Sequence, residues 1–191
     1  MPTVDISDAT FQRLQAHAKP LVDTTDSVID RLLDYFEDAH SDAQAGTSAV
    51  KDPVALIRFN PHELPSLTHT KLRKAEFGGR ELARPNWNEL VRTAVEAGLD
   101  RLGGVEELLR VTDARIVKGT KTDEGFSPLG TRGISVQGVD AHDAWRITYG
   151  LARKLSMPVE VIFQWRDKEG AAHPGEIGAV EWAPQPRQPP A

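Results

Sequence analysis

Cysteine is absent from the sequence. Disulfides, thiolate nucleophiles and cysteine-ligated zinc or iron–sulfur sites are therefore excluded. The absence fits a reducing cytoplasm, the location the sequence suggests. No run of about 18 apolar residues occurs, so neither a spanning helix nor a membrane partner is expected. The opening Met-Pro-Thr-Val-Asp lacks the basic-then-apolar order of a signal peptide. Histidines are scattered: His17, His40, His62, His69, His142 and His173 include no His-x3-His pair and no His-Glu-x-x-His run. No metal site and no cofactor is expected from them. A Gly-x-Ser-x-Gly elbow is missing too. Gly119-Thr120-Lys121-Thr122 holds a Gly-x-Lys-Thr fragment without the upstream glycine of a phosphate loop, and reads as a turn.

The chain does have enough apolar residues, 39% of 191, for one packed domain and a smaller one. Its net charge of −5 is unevenly spread. Residues 1–55 hold ten acidic and four basic side chains, a net of −6, which leaves +1 for residues 56–191. A nucleic acid is repelled by the first part and tolerated by the second.

The fold class expected is α+β. Residues 1–37 read as a strand–helix–helix segment, 38–55 as a linker, 56–183 as a mixed α+β domain and 184–191 as a disordered tail. Residues 3–7 alternate like a strand. Ser7 or Asp8 can cap a helix whose stripe is Phe11, Leu14, Ala18 and Leu21, with Pro20 ending it. A second stripe follows at Val28, Ile29, Leu32, Leu33 and Phe36. In the larger part, strands are expected near 55–59, 114–119, 133–138, 159–165 and 177–182. Helices are expected over 87–97, stopped by Gly98, after Gly103-Gly104, and over 140–155. Residues 120–132 read as a polar loop.

A strand–helix–helix of this size cannot bury its stripes alone, whereas two copies can. Thr3-Val4-Asp5-Ile6, the helix after it and Asp26-Ser27-Val28-Ile29-Asp30-Arg31-Leu32-Leu33 resemble ribbon–helix–helix proteins. They are more similar to the N-terminal oligomerisation segment of bacterial replication-sequestration (SeqA-type) proteins. The resemblance covers about a fifth of the chain. It implies a homodimer or higher oligomer held by Val4, Ile6, Phe11, Leu14, Val28, Leu32 and Phe36, with a DNA-associated regulatory or defence-related role in a bacterium. The outward strand positions, Thr3, Asp5 and Ser7, include no base, so this segment suits assembly better than reading DNA. The alternative is a helical hairpin packed on its own chain. The C-terminal part resembles no family of known activity.

Three readings of residues 56–183 stay open. In the first, Lys71, Arg73, Lys118, Lys121 and Arg132 contact phosphates, and His69, Trp87, Asn88, Gln137 and Trp165 recognise a ligand. Trp87 and Trp165 enter as pocket walls because polar residues flank them. The protein is then a non-enzymatic binder whose partners are itself and DNA or another protein. In the second, Asp140, Glu160 and Gln164 hold a metal in a nuclease of a restriction or defence system. In the third, the chain is a protein–protein assembly adaptor without nucleic acid, in keeping with its acidic balance.

Overall fold

The computed structural model describes residues 5–17, 25, 28, 29, 32 and 56–185. The chain divides into two compact units, residues 1–50 with 123–125 and residues 51–122 with 126–191. Among the described residues there are four helices and two sheets, so the α+β class is correct.

In the first unit, helix α1 spans Asp8–His17. Ser7 caps it: its hydroxyl accepts from the Thr10 amide at 3.3 Å, and its carbonyl accepts from Phe11 N at 2.9 Å. Residues 5–7 are in neither helix nor strand, while Thr25, Val28, Ile29 and Leu32 are helical. Val4, Ala18, Leu21, Leu33, Phe36 and the expected linker to residue 55 lie outside the described residues.

The second unit carries a five-stranded sheet ordered β1-β8-β7-β2-β3 and a three-stranded sheet ordered β4-β6-β5. Their ranges are β1 Leu56–Arg58, β2 Thr70–Phe77, β3 Arg80–Glu81, β4 Ile116–Lys118, β5 Phe126–Pro128, β6 Ile134–Gln137, β7 Val159–Trp165 and β8 Ile177–Trp182. Only β1 runs parallel to its neighbour, β8. Helices α2 (Trp87–Leu102), α3 (Val105–Leu109) and α4 (Ala141–Leu155) complete the unit.

Three expectations need correction. Residues 70–77 were given no strand, yet β2 is the longest one. Its buried residues are Thr70, Leu72, Ala75 and Phe77, so the period of two slips between Leu72 and Lys74. There Arg73 is the extra residue of a β-bulge, and it hides the alternation. Gly98 does not stop α2; the helix runs to Leu102 and ends on Gly103 at φ 78. A Cβ on Gly98 would lie 2.6 Å from Leu108 Cδ1, so this glycine lets α3 approach. Finally, Phe126–Pro128 is an edge strand inside the expected loop, where proline needs no partner for its nitrogen.

Strand β7 alternates cleanly, burying Val159, Val161, Phe163 and Trp165. These residues meet α2 and α4 in one core with Leu72, Phe77, Leu90, Val91, Ala94, Leu151 and Leu155. Ile134 and Val136 of β6 join the same core. The three-stranded sheet is tied to α2 by Arg92, which donates to the carbonyls of Ser127 (3.3 Å) and Pro128 (2.7 Å), and by Asn88, which accepts from Val139 N at 2.8 Å. Both helices lie on one face of the larger sheet, and none of this unit's helices lies on the other.

Candidate binding surface

That second face is composed strand by strand from the register, because directly opposed residues point the same way. On β7 it presents Glu160, Ile162 and Gln164. Glu160 opposes Glu181 of β8 and Glu76 of β2, and Glu76 opposes Glu81 of β3. Four carboxylates thus form one row across four strands. Ile162 opposes Ala179 and Lys74; Gln164 opposes Ile177 and Lys71. On β1, Leu56 lies beside Ile177 and Arg58 beside Ala179. The result is an aliphatic centre of Leu56, Ile162 and Ile177 around the buried Ala179, between the glutamate row and a basic side of Lys71 and Arg73. Leu56 is 42% exposed.

The charges on this face pair internally. Lys74 Nζ lies 3.1 Å from Glu160 Oε2, and Arg58 lies 3.3 Å from Glu181. The Glu160 hydrogen bond, then its charge, holds the Lys74 pKa above its ordinary 10.5; partial desolvation opposes this, and Glu81 and Glu76 add to it weakly. Like charges opposed in a ladder repel, and Lys74 is what offsets that repulsion. Arg73 Nε donates to Gln164 Oε1 at 3.0 Å, and Gln164 Nε2 donates to the Gly175 carbonyl at 3.0 Å. Both ends of the Gln164 amide are therefore occupied.

The structure brings Lys71, Arg73, Glu160 and Gln164 onto this one face, mixing residues from the phosphate and nuclease readings. It does not bring Asp140 to them. Asp140 caps α4, accepting from Asp143 N at 3.0 Å, on the opposite side of the sheet. Gln164 Oε1 faces the Arg73 guanidinium and Glu160 the Lys74 ammonium, so both are engaged by cationic side chains rather than grouped around a metal position. Among the described residues, no three or more acidic or imidazole side chains converge where a metal could sit.

The remaining basic residues lie on the three-stranded sheet and its approaches, each beside a partner. Lys118 pairs with Glu106, and Arg132 pairs with Asp100 at 2.8 Å. Lys121 Nζ stands 4.7 Å over the Phe126 ring. Hydrogen bonding and charge from Lys118 hold the Glu106 pKa below its ordinary 4.5. Two amides of the Gly-x-Lys-Thr turn are committed within the fold: Gly119 N donates to Gly133 O and Lys121 N to Ser135 Oγ. Gln137 accepts from Arg115 at 3.3 Å, and Asn88 is committed to Val139.

Trp165 and Trp87 are core residues, 1% and 8% exposed. Their indole N–H groups donate to Ser66 O at 2.8 Å and Thr70 Oγ1 at 3.1 Å. The pocket-wall reading of both rings is corrected by that burial. His69 sits at the start of β2 with φ 61, its carbonyl accepting from Arg166 N at 2.8 Å. Beside α2, two shallow concavities of about 310 and 430 Å³ share Arg80 and Thr93 in their linings. Arg80 reaches Glu96 at 3.1 Å across them.

Sequence reasoning did not bring Arg58, Lys74, Glu76, Glu81 and Glu181 onto one face, nor find the aliphatic centre they surround. The signal that could have found them is the alternation of β7 and β8, read for its outward as well as its inward positions. No protein-family model, no curated protein and no solved structure matches this chain.

Proposed function

We propose that this chain is a non-enzymatic assembly module. It engages a protein partner through the face of the five-stranded sheet opposite α2 and α4, and self-associates through its N-terminal unit. The observation that carries the first part is the composition of that face. Four bases (Arg58, Lys71, Arg73, Lys74) balance four acids (Glu76, Glu81, Glu160, Glu181) around Leu56, Ile162 and Ile177. A neutral charged border around an aliphatic centre suits a protein surface with complementary charges. It suits a nucleic acid poorly, because phosphate binding needs surplus positive charge and base stacking needs aromatic faces. Self-association is supported by Ile6, Phe11, Ile29 and Leu32, which are 37–41% exposed.

Amine-reactive cross-linking in the cells of origin tests this, since Lys71 and Lys74 report on the face directly. Cross-links from these two lysines to another protein are expected, and Ile162→Glu with Ile177→Glu should abolish them. Persistence of the same cross-links in that variant sinks the reading. A labelled duplex titrated at low salt is expected to show no saturable binding; tight binding that weakens steeply with salt would restore the DNA reading.

A further inference from the structure

Residues 59–69 connect β1 to β2 with no helix or strand of their own, and unusually many side chains pin them. Helix α4 presents His142, Trp145 and Tyr149 to this strap, at helical spacings of three and four. Trp145 Nε1–H donates to Pro61 O at 3.1 Å. The Tyr149 hydroxyl lies 2.8 Å from His62 Nε2. Leu67 is the hub. Its side chain is fully buried, its carbonyl accepts from Thr70 Oγ1 at 2.6 Å, and its amide donates to His142 Nε2 at 3.0 Å. Trp165 and Trp87 hold the same stretch through Ser66 and Thr70.

These pins respond differently to a proton. An indole N–H does not titrate in the physiological range. The Tyr149–His62 contact survives protonation with its roles exchanged, because phenol oxygen both donates and accepts. The His142 contact cannot exchange roles. Its partner is a backbone N–H, which only donates, so Nε2 must carry a lone pair and the ring proton must sit on Nδ1. A second proton sets one N–H against another and leaves the Leu67 amide without an acceptor.

We propose that His142 is a proton-sensitive latch on the 59–69 strap: protonating its ring releases Leu67 from α4 while the tryptophan anchors hold the strap's two ends. His142 is exposed, so protons reach it. The charged and titratable groups on the elements that meet there are His62, Glu63 and His69 of the strap, Asp140, Asp143, Arg146 and Arg153 of α4 and its cap, and Arg166 and Asp167 after β7. Across Phe59 and Trp165 lie His173 and Glu176, bonded at 2.9 Å. That pair strengthens when His173 is protonated, so it opposes opening rather than causing it. Release at His142 loosens the strap at Leu67, whose side chain is fully buried, next to the Ser66 carbonyl that Trp165 holds.

Amide exchange followed by NMR on the full chain tests this at about pH 8 and about pH 5, on either side of the imidazole range. After correction for intrinsic exchange, Leu67 protection is expected to fall about tenfold at the lower pH, the scale of one lost hydrogen bond. The Leu90 amide and the Trp87 and Trp145 indole protons should keep theirs. In His142→Gln the side-chain carbonyl can take the place of Nε2 and does not titrate, so Leu67 protection should be equal at both pH values. An equal fall in the variant, no fall in the wild type, or a parallel fall at Leu90 overturns the latch. Ring ¹⁵N shifts of the wild type give an answer independent of the variant: an Nε2–H tautomer of His142 at the higher pH overturns it as well.

Discussion

Gly178 lies under two aromatic rings. A Cβ there would stand 2.7 Å from Phe163 Cζ and 3.0 Å from the Phe59 ring. The Phe163 ring cannot retreat, because it is fully buried and packs edge-on against Trp165 at 4.9 Å. Gly178→Ala is therefore expected to lower stability by about 1–3 kcal/mol, the usual cost of overpacking, as read from a urea midpoint. Thr148 presents the opposite defect. It is fully buried on α4, and its hydroxyl has no hydrogen-bond partner among the described residues. Thr148→Val keeps the shape and removes the polar atom, so a gain of about 1 kcal/mol is expected in the same measurement. The sequence left Trp87 and Trp165 facing a ligand. Their polar neighbours in sequence suggested exposure. Trp87 instead packs on Phe163 in the core, and Trp165 bonds the strap across 99 positions of chain, a pairing that no local pattern contains.

At the level of elements, regular patterns were legible and irregular ones were not. Strand β7 and helix α4 obey their periods, and their limits and those of β8 match the expected ones closely. Strand β2 was lost to a single residue. Deleting Arg73 would restore strict alternation from Thr70 to Phe77, since Leu72 and Lys74 already pair with the successive residues Phe163 and Ile162. The deletion is expected to leave a folded protein with a nearly unchanged circular dichroism spectrum. Deleting Ala75 should prevent folding, because either Lys74 or Glu76 must then turn into the core. A second prediction concerns the tie between α3 and β4, where Lys118 lowers the Glu106 pKa below 4.5. A depressed carboxylate stabilises the folded state above its unfolded pKa and ceases to as pH falls through its folded value. Lys118→Met should therefore be less stable than the wild type at neutral pH, and the gap should close as pH falls below 4.5 through the Glu106 value in the folded protein. Both side chains are well exposed, so 0.5 M salt should shrink the gap too.

For the whole molecule, the composition shift near residue 55 was the legible part, and the sheet face opposite α2 and α4 was not. That face exists only once strands from residues 56, 71, 160 and 177 are set side by side, and their register is a product of folding. The core offers a separate test of organisation. It is built from residues 59–182, and Val28, though buried, is not part of it. A chain starting at Pro53 is thus expected to unfold cooperatively with a urea midpoint near that of the full chain. Sedimentation should then show the full chain as a dimer or larger and the shortened chain as a monomer. Phe11→Asp with Leu32→Asp should dissociate the full chain, as both residues are exposed apolar side chains of the N-terminal unit. Two monomers at high concentration would end the self-association reading. Salt sharpens the test through its sign. Bringing together two segments of net −6 costs charge repulsion, which salt screens. Association should therefore tighten between 0.05 and roughly 0.5 M salt, whereas binding to a phosphate polymer would weaken over the same range. One sedimentation series, run with and without DNA, distinguishes a self-associating adaptor from a nucleic-acid binder.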